Sequence, residues 1–97
     1  MTKNYKIKSS KLFKKSLKRV LKQGKDLDKL LEVVDMLSKS QKLDLKYKDH
    51  ALYNDKKFKD CRDCHIEPDS VLIYKYLKDD IVLLLVDTGS HSEVLNK

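Results

Sequence analysis

Three histidines, His50, His65 and His91, lie after residue 49, and each stands close to an acid: Asp49-His50, Asp63-Cys64-His65 and His91-Ser92-Glu93. An imidazole has an ordinary pKa of about 6.5, so it gives and takes protons near neutrality. A set of histidines and carboxylates brought together in space is therefore equipped for general acid–base chemistry.

The middle cluster is the most informative, because strand geometry sorts its side chains. In an extended chain Asp63 and His65 share one face with Cys61 and Glu67, while Arg62, Cys64 and Ile66 share the other. With the second set turned to a core, Asp63, His65 and Glu67 form a polar strip on the open face.

The same stretch, Cys61-Arg62-Asp63-Cys64-His65, matches the C-x-x-C-H pattern of covalent haem attachment. Haem attachment of that kind belongs to exported, largely helical proteins, and here the motif sits in strand-like sequence. A zinc site needs a second ligand pair, for which only the scattered His50 and His91 are available. A disulfide is not expected, since three residues of strand separate the Cα atoms by about 10 Å, beyond the ~7 Å limit. The expectation is Cys64 as a small core residue, Cys61 on the other face, and no metal or cofactor.

Several elements must position these groups. Tyr5 to Lys8 alternate apolar and basic residues and predict a short strand, with Ser9 or Ser10 capping the helix after it. Leu12, Phe13, Ser16, Leu17, Val20 and Leu21 recur at helical spacing, and Gly24 suits the end of that helix. A second helix is predicted over about 28–38, capped by Asp26 or Asp28, with Leu27, Leu30, Leu31, Val34 and Leu37 as its buried stripe. The short connection implies an antiparallel helical pair. Residues 39–60 carry little periodicity and are expected to form a long, partly irregular segment holding Tyr47, His50, Leu52 and Phe58.

Beyond it the pattern becomes β-rich. Strands are predicted over 61–67, 71–77 and 81–86, separated by Pro68-Asp69 and by Lys78-Asp79-Asp80. The last two should pair as an antiparallel hairpin, and the unbroken apolar run Ile81 to Val86 should be a central strand buried on both faces. Ser90 or Ser92 can cap a short terminal helix. The sum is an α+β chain of order β-α-α-β-β-β, one sheet against two helices, forming a single domain over residues 1–97.

Composition narrows the function classes. With 97 residues there is no room for a second core or a large cofactor-binding fold. The longest apolar run is far short of the ~20 residues that span a bilayer, and the N-terminus has no signal-peptide pattern, so a soluble, cytoplasmic protein is expected. The chain has 22 basic and 15 acidic residues, a net charge of +7. That excess is one-sided: residues 1–25 hold ten Lys or Arg and no acid, whereas residues 51–97 hold seven bases and nine acids. A basic first half attracts polyanions without regard to sequence, or simply keeps a small domain solvated.

Four blocks, taken together, resemble the YafQ branch of the RelE-like bacterial toxins: Tyr47-Lys48-Asp49-His50-Ala51-Leu52, Arg62-Asp63-Cys64-His65-Ile66-Glu67-Pro68-Asp69, Leu72-Ile73-Tyr74 and Thr88-Gly89-Ser90-His91-Ser92-Glu93. They span nearly the whole chain in the family's order. The resemblance implies a microbial-RNase-like fold, an antiparallel sheet packed against two N-terminal helices. It also implies the toxin of a type II toxin–antitoxin pair, an endoribonuclease that cleaves mRNA on the ribosome, with a cognate antitoxin as partner. By the family pattern His50, Asp63, His65, Asp69 and His91 match catalytic positions. The chain departs from it at Leu95, where the family usually has Phe, and at Asp87, where it often has Arg.

RNA can be cut without a metal when its own 2′-OH attacks the adjacent phosphorus. His50 is then expected as general base and His91 as general acid, roles that can be exchanged, with His65 on the scissile phosphate and Asp63 and Asp69 orienting imidazoles. Arg62 is a candidate to neutralise phosphate and Leu95 to contact substrate. A small open face cannot by itself bend mRNA into the in-line geometry, so cleavage of free RNA should be weak. The competing expectation is a non-catalytic binding toxin of the same fold, for example a gyrase inhibitor, in which the His/Asp set is structural.

Overall fold

A computed structural model describes residues 4–52 and 56–95 of the chain. The elements run β1 (Lys6–Ser9), α1 (Lys11–Lys22), α2 (Asp28–Ser38), a 3-10 turn (Leu45–Tyr47), β2 (His50–Ala51), β3 (Arg62–Glu67), β4 (Ser70–Leu77), β5 (Val82–Gly89) and α3 (His91–Leu95). Five strands form one sheet in the order β1-β5-β4-β3-β2. The hairpin β4–β5 is antiparallel as expected, and so are the β3–β4 and β2–β3 pairs. β1, however, runs parallel to β5, which makes the sheet mixed rather than wholly antiparallel. That parallel pairing follows from the two-helix connection, which carries the chain over one face of the sheet before it returns.

The helices start and stop where local chemistry dictates. Ser10 Oγ accepts a hydrogen bond from the Phe13 amide and donates one to the Val86 carbonyl, so the cap of α1 also ties the helix to the strand β5. Gly24 follows α1 with φ +73°, a left-handed turn that glycine enters without cost. Neither Asp26 nor Asp28 caps α2 as expected: Leu27 stands at its N-cap without a side-chain cap, and the Asp26 carboxylate accepts from the Asp28 amide at 2.8 Å just ahead of the helix. In α2 the buried stripe is Leu30, Val33, Val34 and Leu37, the i, i+3, i+4, i+7 rungs of one face. Leu31, expected inside, is 61% exposed.

The sheet separates two apolar clusters. On the helical face, Phe13, Leu30, Val33, Val34 and Leu37 pack on Cys64, Ile66, Leu72, Tyr74, Leu83 and Leu85. On the other face, Phe58, Cys61, Val71, Ile73 and Val94 form a smaller cluster edged by Leu52, Val86 and Leu95. Cys61 and Cys64 therefore lie on opposite faces, both buried and neither joined in a disulfide, as strand alternation requires. Burial pushes the Cys64 thiol far above its ordinary pKa, so it is inert as a nucleophile.

Residues 39–60, read as a long and partly irregular segment, hold the 3-10 turn and β2 between stretches without regular structure, while 53–55 lie outside the described residues. Ile81, read as the first residue of the last strand, belongs to the preceding turn: it has φ +54° and is 44% exposed. Its carbonyl accepts from the Lys6 amide at 3.0 Å, linking the turn to β1.

Candidate active site

The smaller-cluster face of the sheet carries the chemistry. In β3, Asp63 and His65 point to this face, opposite Cys64 and Ile66. β2 pairs His50 directly across from Asp63, and α3 begins at His91 immediately after β5. Three elements far apart in sequence thus deliver the three imidazoles around one carboxylate.

Asp63 is at the centre and is only 1% exposed. Among the described residues, neither of its carboxylate oxygens has a hydrogen-bond partner. Burial raises its pKa above the ordinary carboxylate value, and the charges of His50, His65 and His91 oppose that rise. The nearest ring nitrogen, His50 Nε2, lies 3.6 Å from Asp63 Oδ2. This distance is outside hydrogen-bonding range but close enough for the carboxylate to stabilise an imidazolium.

His50 is held from its other nitrogen. Nδ1 lies 2.7 Å from the Lys48 carbonyl oxygen, which can only accept, so Nδ1 donates. The neutral ring is then the tautomer with a free lone pair on Nε2. Lys48 presents that carbonyl because it sits in the left-handed region, φ 50° and ψ 39°, at the end of the 3-10 turn. Nothing in the type of residue at position 48 signals this conformation, and sequence reasoning missed it.

His91 is positioned by a capping box. Ser90 Oγ accepts from the Glu93 amide at 3.2 Å, and Glu93 Oε1 accepts from the Ser90 amide at 3.1 Å. Glu93 therefore does not serve His91 as a carboxylate partner; it also pairs with Arg19 at 3.3 Å and accepts from Gln23 at 3.2 Å, docking α3 on α1. The Ser90-x-x-Glu93 spacing was the available signal for this. Gly89 lets the two elements meet: a Cβ there would stand 2.9 Å from Arg19 Nη2 and 3.2 Å from a Val94 methyl. The His65 and His91 rings lie with centroids 5.7 Å apart, tilted by 46°.

Other expected site residues are placed differently. Arg62 points to the helical face, where its guanidinium binds both oxygens of Asp49 at 3.3 and 3.0 Å; Asp49 also accepts from the Tyr74 hydroxyl at 2.5 Å. Strand alternation puts Arg62 on the opposite side from the imidazoles, where it holds the residue before His50. Asp69 is exposed on the β3–β4 turn and makes no hydrogen bond or ion pair with the three histidines. Leu95 is half-buried against the smaller cluster. Asp87, where the family often has Arg, is buried on β5 and accepts from the Thr88 amide.

Asp63, His65 and His91 each offer a ligand atom, and these atoms lie within 4.8 Å of one another. Two imidazoles and a bare buried carboxylate suit a borderline transition ion such as zinc or copper, a grouping the sequence spacing had not suggested.

A small sheet backed by two N-terminal helices, with histidines gathered about an acid on its other face, defines the class of compact ribonuclease-like toxins. Residues 5–96 match the description "Bacterial toxin of type II toxin-antitoxin system, YafQ", and the chain belongs to that family. The mRNA interferase toxin YafQ of Escherichia coli strain B is 38% identical over 81 residues, 82% of this chain and 84% of the relative. Among solved structures, a metal-bound toxin from Helicobacter pylori superposes with a TM-score of 0.83 at 46% identity, covering 93% of this chain and 98% of that one. The E. coli DinJ-YafQ complex matches with a TM-score of 0.79 at 36% identity over 94% of this chain and 98% of that one.

Proposed function

We propose that this toxin is an mRNA interferase that cuts ribosome-bound mRNA by acid–base catalysis on its imidazoles, with no metal required. The observation that supports it most is the arrangement of His50: Nδ1–H tied to the Lys48 carbonyl, Nε2 bare, and a buried carboxylate 3.6 Å beyond. That is the geometry of a general base whose protonated form is stabilised in place.

His50 Nε2 takes the proton of the 2′-OH as the 2′-oxygen bonds to phosphorus. His91, protonated, gives its proton to the 5′-oxygen as the P–O5′ bond breaks. The products are a 2′,3′-cyclic phosphate and a 5′-OH end. His65, between the two, donates to a phosphate oxygen as negative charge gathers in the transition state. Asp63 beneath all three holds the positive charge that moves among them. A cation bound by Asp63, His65 and His91 would supply Lewis acidity toward a phosphate oxygen; the proton transfers belong to the ring nitrogens.

The ribosome is the place of action and the cytoplasm the compartment, and no described helix is long and apolar enough to cross a membrane. An antitoxin is the protein partner, and Lys11, Lys14, Lys15, Lys18 and Lys22, all exposed on α1, offer a surface for an acidic segment.

The test is single-turnover cleavage of mRNA on the ribosome beside the same RNA free in solution. The wild type is expected to cut the ribosome-bound message far faster, and His50→Ala and His91→Ala are each expected to lose about a hundredfold or more in rate. Equal cleavage of both RNAs, or near-normal rates in both variants, would overturn the proposal.

A further inference from the structure

β2 is only two residues long and covers β3 at Arg62 and Asp63 alone. Beyond Asp63 the edge of β3 faces no strand among the described residues, and the chain leading into β2 packs beside it as the 3-10 turn without pairing to it. Between this edge and the start of α2 lies a cleft of about 520 Å³, within the range of small-ligand sites.

The lining has a definite chemistry. The half-buried Tyr47 contributes a ring that rests on the main core. Lys46, Lys48 and Lys29, all exposed, stand around it, with the Lys46 ammonium 5.2 Å from the ring centroid. His65 lines the cleft as well, so it opens directly onto the imidazole cluster. Glu32 and Glu67 are the acids on its wall, leaving lysines in excess.

We infer that this cleft is a nucleotide subsite: the base of the mRNA residue next to the scissile phosphate takes the place of the Lys46 ammonium over the Tyr47 ring and stacks there, and the displaced Lys46 joins Lys48 on the adjoining phosphate. An aromatic ring among lysines is the pairing by which proteins hold single-stranded nucleic acid, the ring meeting the base and the ammonium groups the backbone. The location beside His65 fixes which nucleotide it takes, since a chain whose phosphate lies at His65 has its neighbouring base within reach of the cleft.

This inference rests on the proposed nuclease reading, and its test separates the two. Tyr47→Leu keeps apolar contact with the core while removing the ring, and Lys46→Ala removes one ammonium from an exposed position. In ribosomal cleavage, Tyr47→Leu should raise the half-saturating concentration of the ribosome–mRNA complex about tenfold with little change in the maximal rate, the loss of one stacked base. Lys46→Ala should weaken binding less and reduce its salt dependence. A wild type that cleaves, with Tyr47→Leu saturating as the wild type does, overturns the cleft alone; a wild type that does not cleave overturns the nuclease reading. Independently of any variant, NMR titration of the wild type with a 2′-deoxy trinucleotide, which lacks the attacking hydroxyl, should move the Tyr47 ring signals together with those of His65. Shifts at His50, His65 and His91 with Tyr47 unmoved would overturn the cleft.

Discussion

Asp63 shows how one residue can be costly to the fold and useful to the reaction. Its carboxylate is buried and accepts no hydrogen bond among the described residues, and such a group costs stability wherever it is ionised. Burial raises its pKa in the folded protein. The folded state therefore binds the proton more tightly than the unfolded chain, and the stabilising contribution, full below the unfolded value, is lost as pH rises through the raised one. At neutral pH Asp63→Asn should raise the melting temperature by about 4 °C or more, the shift expected for roughly 1 kcal/mol in a domain of this size. The advantage should vanish as the pH is lowered and the wild-type carboxyl takes its proton, while cleavage falls throughout because the imidazolium of His50 loses its counter-charge. Thermal melts of both proteins from pH 4 to 8 check the sign; a variant less stable than the wild type at pH 8 would contradict it.

At the scale of elements, what could be read in the sequence was whatever has a period. The helical repeat in α1, the alternation in β3 and the apolar runs of β4 and β5 are long enough to declare themselves, and strand alternation alone placed Asp63 and His65 opposite Cys64. β2 could not be read, because two residues have no period; it exists through its pairing with β3, and with it came the meeting of His50 and Asp63. Arg62 could be assigned to a face by the same alternation, yet its partner Asp49 lies thirteen residues earlier in a segment without pattern. The orientation of α2 also came from packing, which chose the Val33 rung over Leu31. Ile81 is the sharpest failure, since an isoleucine at φ +54° opposes both β propensity and sterics. The turn holds it there through the Lys6–Ile81 backbone bond, whose geometry any side chain at 81 preserves. Ile81→Asn, a residue that tolerates the left-handed region, should therefore stabilise the domain, by about 1 kcal/mol. Urea unfolding measures this, and a lower midpoint with unchanged slope would show that the half-exposed isoleucine contributes more by its contacts than it costs by its backbone.

Across the whole molecule, charge and chemistry occupy different parts of one small sheet. The basic first half forms β1, α1 and α2, and the near-neutral second half forms the strands and short helix that hold Asp63, His65 and His91. α1 and α3 are nevertheless joined, since Arg19 and Gln23 hold Glu93 and through it the helix that begins at His91. The basic surface supplies attraction to a polyanion, and the opposite face of the sheet supplies proton transfer, so their contributions are separable by experiment. Proton transfer is the central claim, and the pH dependence of single-turnover cleavage on the ribosome reads it most directly. A bell-shaped profile is predicted, the mark of one general base and one general acid, with the acid limb absent from the residual activity of His50→Ala and the alkaline limb absent from that of His91→Ala. A wild-type profile that is flat across the imidazole range, or one whose limbs persist unchanged in both variants, would contradict the account.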